Sequence, residues 1–210
     1  MSGSGSEDRA VTVVWAFGTE PALAGRLLRE AISAPGSSSP DVRLTHLCPS
    51  CGSGEHGKPG LSVQGDPAPP FVSLSRGGGV TVVAVCEQGP VGVDVEADGA
   101  AHSSPGFARV ALHPDEHSSA GDTVLWVRKE SLLKATGHGL RVEPSRLRVT
   151  AADEPAALVE WTGPGAPPAA WLYDVRTAPG RVAAVTVLAP HRPALVVRAA
   201  REAPAPTTKE

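Results

Sequence analysis

No apolar run in this sequence of 210 residues is long enough to cross a bilayer. The longest, such as RVAAVTVLA from Arg181, falls far short of the roughly 20 residues that a spanning helix needs. Cysteine is scarce: Cys48, Cys51 and Cys86 are an odd set with no secretory leader before them, which excludes a disulfide-stapled scaffold and points to a reducing cytoplasm. Charge of one sign is also missing. A net charge of -3 excludes a chain that coats nucleic acid along its whole surface, so any attraction to polyanions must be local. What is present, 41% hydrophobic and 20% charged residues, is enough to bury a core.

Two end segments, residues 1–10 and 201–210, are too polar to offset ordering entropy and are expected to be tails. Between them VTVVWAF from Val11 has strand character, and Glu20 to Ala31 has the Leu23, Leu27, Leu28 spacing of a helix carrying Arg26 and Arg29. FVSLS, TVVAV and VGVDVE follow as three short β runs joined by RGGG and CEQGP, the pattern of a meander. Thr123 to Thr136 is a helix, with Asp122 as its expected N-cap and Gly137 as its stop. RLRV, ALVEW, AWLYDVR, RVAAVTV and ALVVRA are again strands, the third and fourth joined by the turn TAPG. Residues 11–100 and 101–200 therefore each offer helix plus antiparallel sheet, an α+β class.

The chemistry concentrates in VGVDVE. Alternation puts Val91, Val93 and Val95 on one face and Asp94 and Glu96 on the other, with their α-carbons roughly 7 Å apart. Neighbouring anions repel unless a cation joins them, and oxygen-only ligands favour Mg²⁺ over Zn²⁺. A solvated acidic face accounts for the pattern equally well. On the helix, Trp126, Glu130 and Lys134 recur at one-turn spacing beside Leu125, Leu132 and Leu133. The Glu130–Lys134 pair is either a surface pair worth about 0.3–0.5 kcal/mol or a third metal ligand beside a phosphate-holding cation. Between Trp126 and Arg148 six bases, including Arg128 and Lys129, outnumber Glu130 and Glu143, a patch suited to a phosphorylated ligand or an acidic protein. Leu132 and Leu133 are expected to flank that partner. Cys48, Cys51 and His56 hint at a zinc site but lack a fourth ligand, so incidental cysteines are the preferred reading. The histidines, His113 and His138 among them, have no ligand spacing and are expected at the surface.

VGVDVE followed by WVRKESLLKATGHGL resembles the paired signatures of the Sfp-type 4'-phosphopantetheinyl transferases, a strand G-[VI]-D-[VI]-E and a helix W-x-x-K-E-[AS]-x-x-K. GKP at Gly57 to Pro59 and SLS at Ser73 to Ser75 extend the likeness upstream. The resemblance implies two similar α+β halves related by a pseudo-twofold axis, with coenzyme A in the cleft between them. It implies transfer of the phosphopantetheine arm to a serine of an apo acyl or peptidyl carrier protein, with release of adenosine 3',5'-bisphosphate, by a cytoplasmic monomer. Asp94, Glu96 and Glu130 would hold Mg²⁺; Glu130 or a metal-associated water would be the base; Lys134 would steady the departing phosphate. Lys58 and Pro59 match the adenine and phosphate end, and Arg26 and Arg29 add candidate phosphate contacts. Ser75 stands where the family binds the 3'-phosphate through serine followed by histidine. Here the next residue is Arg76, a fork that stays charged and clamps phosphate. Glu116 falls where the family often has an acid near the metal. The alternative activity is a catalytically weak relative that binds coenzyme A or a carrier protein.

Overall fold

Alternating valines and a few one-turn leucine spacings resolve into fourteen elements in the computed structural model, which describes residues 10–33, 41–47, 52–53, 57–100, 106–117 and 121–201. They are β1 (Ala10–Phe17), α1 (Pro21–Ile32), β2 (Val42–Leu47), β3 (Lys58–Val63), β4 (Phe71–Gly77), β5 (Val80–Cys86), β6 (Val91–Ala97), α2 (Phe107–Ala111), α3 (Asp122–Thr136), β7 (Leu147–Val149), β8 (Leu158–Trp161), β9 (Trp171–Val175), β10 (Arg181–Val187) and β11 (Ala194–Ala199). The class is mixed α+β, with few helices and several sheets.

One sheet runs β11-β1-β5-β4 and a second runs β6-β10-β9, with β2-β3 and β7-β8 as separate hairpins. Among the described residues only the β1–β11 pair is parallel; the other pairs are antiparallel. The sheets stack through the residues of one alternation phase. Val11, Val13, Val80, Val82 and Ala84 meet Val91, Val93, Val95, Val185 and Val187. The opposite phase of the first sheet, Val14, Val72, Val83 and Val85, is covered by Leu23, Leu27 and Leu28 of α1 and Leu61 of β3. β5 is buried along its whole length because it has a layer on each side, which is why it reads VTVVAVC without polar alternation. Each fully buried valine contributes on the order of 1.5–3 kcal/mol.

The other face of the second sheet carries α3. Its approach is set by Gly92, where a Cβ would stand 2.0 Å from the Ser131 carbonyl oxygen and 2.4 Å from the Ala135 amide nitrogen. Beside that contact the Ser131 and Thr186 hydroxyls share a buried hydrogen bond of 2.7 Å. The layers are therefore α1, first sheet, second sheet, α3.

One expectation about connectivity is corrected. β4 and β5 pair, but β6 does not continue the meander; it pairs with β10 in the other sheet. The switch occurs at Gly89 and Pro90, where a Cβ on Gly89 would lie 2.0 Å from the Leu188 carbonyl oxygen and the Leu188 amide donates to Pro90 O at 2.9 Å. Sheet membership also crosses residue 100, since β6 lies with β9 and β10 while β11 returns to β1. The β2–β3 hairpin carries Pro59 within an edge strand, where an absent N–H is tolerated. Residues 1–9 and 202–210 of the expected tails lie outside the described residues, as do Cys48, Cys51 and His56. Among the described residues no helix is long and apolar enough to cross a membrane.

Gly92→Ala places a methyl group inside helix backbone. We expect it to lower unfolding free energy by at least about 2 kcal/mol in urea titration, because neither contacting atom belongs to a flexible side chain.

Candidate active site

α3 ends where Gly137 adopts φ +73°, the left-handed conformation that glycine takes without strain. Its buried side is strongly polar. Arg128 and Lys129 are both 0% exposed, and Ser131 is buried beside them. Arg128 forms a bidentate pair with Asp174 at 2.9 and 2.7 Å and donates to the carbonyls of Thr150, Ala151 and Glu154 at 2.7–2.8 Å. Lys129 pairs with Glu116 and donates to Ala111 O at 2.7 Å, while Glu116 also accepts from the amides of His113 and Val149 at 2.8 and 3.0 Å. These bonds fix α3 in rotation and leave Trp126, Glu130 and Lys134 as its half-buried row. Trp126 is edge-packed on Phe107 of α2, ring centres 5.4 Å apart.

The half-buried row faces the polar phase of β6. Gly92 and Asp94 share that phase, so the glycine that admits the helix also brings the carboxylate beneath it. The Lys134 ammonium donates to Asp94 Oδ1 at 2.6 Å, and to Val93 O and Ser75 Oγ at 3.2 Å. The Ser75 hydroxyl donates to the same Asp94 oxygen at 2.8 Å. One turn of strand away, the Val93 amide donates to Ser73 Oγ at 3.0 Å, so alternate serines of β4 tie the first sheet to β6.

Asp94, Glu96 and Glu130 act on one another electrostatically. Burial pushes the Glu130 carboxyl above its ordinary value of 4.5; the Asp94 charge adds to this, Lys134 opposes it and Glu96 reinforces it. Glu96 is raised for the same reasons, burial first and Asp94 second, against Lys134. Asp94 Oδ2 and Glu130 Oε1 are buried and have no hydrogen-bond partner among the described residues. No three His, Cys, Asp or Glu side chains are already gathered at metal-ligand spacing among the described residues, and Lys134 is the cation that Asp94 holds. An all-carboxylate donor set, two orphaned buried oxygens and mutual repulsion nevertheless fit a hard divalent cation such as Mg²⁺.

Other candidates fall elsewhere. Arg76 is exposed and follows Val72 and Leu74 in the β4 phase opposite Ser73 and Ser75. Arg26 and Arg29 sit on α1, across the first sheet from β6, and Arg26 donates to Arg201 O at 3.1 Å. Lys58 donates to Ala135 O at 2.5 Å, at the carbonyl end of α3, and burial lowers its pKa to about 8. Pro59 pairs with His46 in the β2–β3 hairpin. Glu116 is held by Lys129 rather than by the carboxylate group. The expected basic patch loses Arg128 and Lys129 to the interior, and Leu132 and Leu133, 0% exposed, cannot flank a partner. His113 is buried, accepting from the Asp115 amide at 3.2 Å. The structural roles of Arg128 and Lys129 were missed in the sequence. Arg128 does share an i, i+3, i+7 face with Leu125 and Leu132, and that spacing is the signal.

Residues 90–187 match the family model of the 4'-phosphopantetheinyl transferase superfamily. This segment belongs to that superfamily. The transferase segment includes β6, α3 and β10, and with them Asp94, Glu96, Glu130 and Lys134, whereas Lys58, Ser75, Arg76, Arg26 and Arg29 precede it. No curated protein matches the chain.

Two predictions concern stability. Lys129→Met leaves Glu116 buried without its ion and should cost about 3–5 kcal/mol in urea unfolding. Glu130 has a folded pKa above 4.5, so its protonated form is the one the fold favours. The stability it permits is full below pH 4.5 and declines as pH rises through the folded pKa. In metal-free buffer Glu130→Gln should therefore be more stable than wild type at pH 7, with the difference closing as pH falls below 4.5.

Proposed function

We propose that the chain transfers the 4'-phosphopantetheine arm of coenzyme A to a serine hydroxyl of an apo acyl or peptidyl carrier protein. The observation that supports this reading is the Lys134–Asp94 bond between α3 and β6 inside the superfamily segment, with Glu96 and Glu130 close enough to feel the Asp94 charge. In the transfer the serine oxygen bonds to the pantetheine-side phosphorus of the coenzyme A diphosphate. The bond from that phosphorus to the bridging oxygen breaks, and adenosine 3',5'-bisphosphate departs with the electron pair.

Asp94, Glu96 and Glu130 would hold Mg²⁺, which when bound neutralises diphosphate charge and draws the three carboxylates together. Glu130 accepts the serine proton, a task suited to a carboxylate whose proton affinity burial has raised. Lys134 keeps Asp94 oriented through its 2.6 Å bond and exchanges one of its weaker 3.2 Å contacts for an oxygen of the departing phosphate. Coenzyme A and the carrier are then the partners, and a single chain supplies all four residues.

The test is incubation of the protein with coenzyme A, Mg²⁺ and an apo carrier protein, read by mass spectrometry of the carrier. Addition of one phosphopantetheine arm is expected, and Glu130→Gln should reduce its rate by at least about 100-fold. Binding of coenzyme A without any mass gain would instead make the chain a binding module for coenzyme A or a carrier.

A further inference from the structure

Among the described residues, Ser75 is the one side chain of the first sheet that hydrogen-bonds both Asp94 and Lys134. The residue is 7% exposed, and its hydroxyl donates to Asp94 Oδ1 at 2.8 Å and accepts from Lys134 Nζ at 3.2 Å. Arg76, its neighbour, points to the other side of β4 and is exposed, so the two do not form a joint phosphate clamp. A hydroxyl has one proton to give, and here it is given to a carboxylate oxygen inside a buried network. We infer that Ser75 is a positioning residue for the Asp94–Lys134 pair rather than a ligand of the coenzyme A 3'-phosphate, an inference that rests on the transferase reading.

The physical argument concerns which Asp94 oxygen remains available. With Ser75 and Lys134 both on Oδ1, the carboxylate is held in one rotation and Oδ2 is left without a partner. Without the hydroxyl, Lys134 alone restrains the carboxylate, and both groups gain freedom at the point where alignment matters. Ser75 comes from β4, whereas Asp94 and Lys134 come from β6 and α3. The hydroxyl therefore also sets how the first sheet sits against the acidic centre.

Four variants and two substrates test this. Ser75→Ala should lower kcat about tenfold while leaving KM for coenzyme A within about twofold. Its preference for coenzyme A over 3'-dephospho-coenzyme A should equal that of wild type, and Ser75→Thr, which keeps the hydroxyl, should recover most of the rate. Loss of the preference for the 3'-phosphate in Ser75→Ala, with a raised KM, would overturn the proposal and return Ser75 to the phosphate site. A stability cycle needs no turnover. Urea unfolding of Ser75→Ala, Asp94→Ala and the double variant should show the two changes failing to multiply by about tenfold in the unfolding constant. Independent effects in that cycle would overturn the contact even in a fully active enzyme. Failure of wild type to load any carrier would overturn the transferase reading, while the cycle would still decide on Ser75.

Discussion

Where β6 passes under α3, strand and helix meet backbone to backbone at Gly92, with the Ser131 carbonyl and Ala135 amide taking the space a side chain would fill. That close approach governs what the neighbouring residues can do. Asp94 is two residues along the same strand phase, and Lys134 is three residues from Ser131 on the helix, so lowering one element onto the other brings an acid and a base together. A longer separation would leave the carboxylates of β6 facing solvent, with neither the desolvation nor the mutual repulsion that raises Glu130 and Glu96.

Close approach alone does not set the rotation of α3, and leucines alone do not either. Arg128, Lys129 and Ser131 are buried on the side away from solvent, each with partners on a different segment: Arg128 with β9 and the residues after β7, Lys129 with the α2 region, Ser131 with β10. Buried ions are costly when a partner is missing and directional when all are present, so they define one orientation where apolar packing would tolerate several. Trp126, Glu130 and Lys134 are the row that this anchoring leaves half-buried.

Much of this was visible in the sequence, and the reasons for the rest are physical. α3, β6 and the later strands follow from period, capping glycine and alternation, since those signals are local. Asp94, Glu130 and Lys134 were singled out because strand alternation and one-turn helix spacing each define a face, and the structure sets those two faces opposite one another. The burial of Arg128 and Lys129 was hidden, as their chemistry resembles a solvated surface until Asp174 and Glu116 arrive from elsewhere in the chain. Ser75 was read as a phosphate contact from the family resemblance, and its bond to Asp94 lies across a sheet boundary that no local pattern announces. The β2–β3 hairpin escaped through Pro59, and five-residue α2 is too short for a periodic signal.

The path of β6 and β11 has a consequence for how the molecule assembles. β6 leaves the N-terminal strands to pair with β10, and β11 comes back from the C-terminal end to pair with β1. The first sheet is not complete until β11 has joined β1, so its N-terminal strands cannot finish their pairing on a partly made chain. Removing β11 would expose the flank of β1 as an open template for other chains.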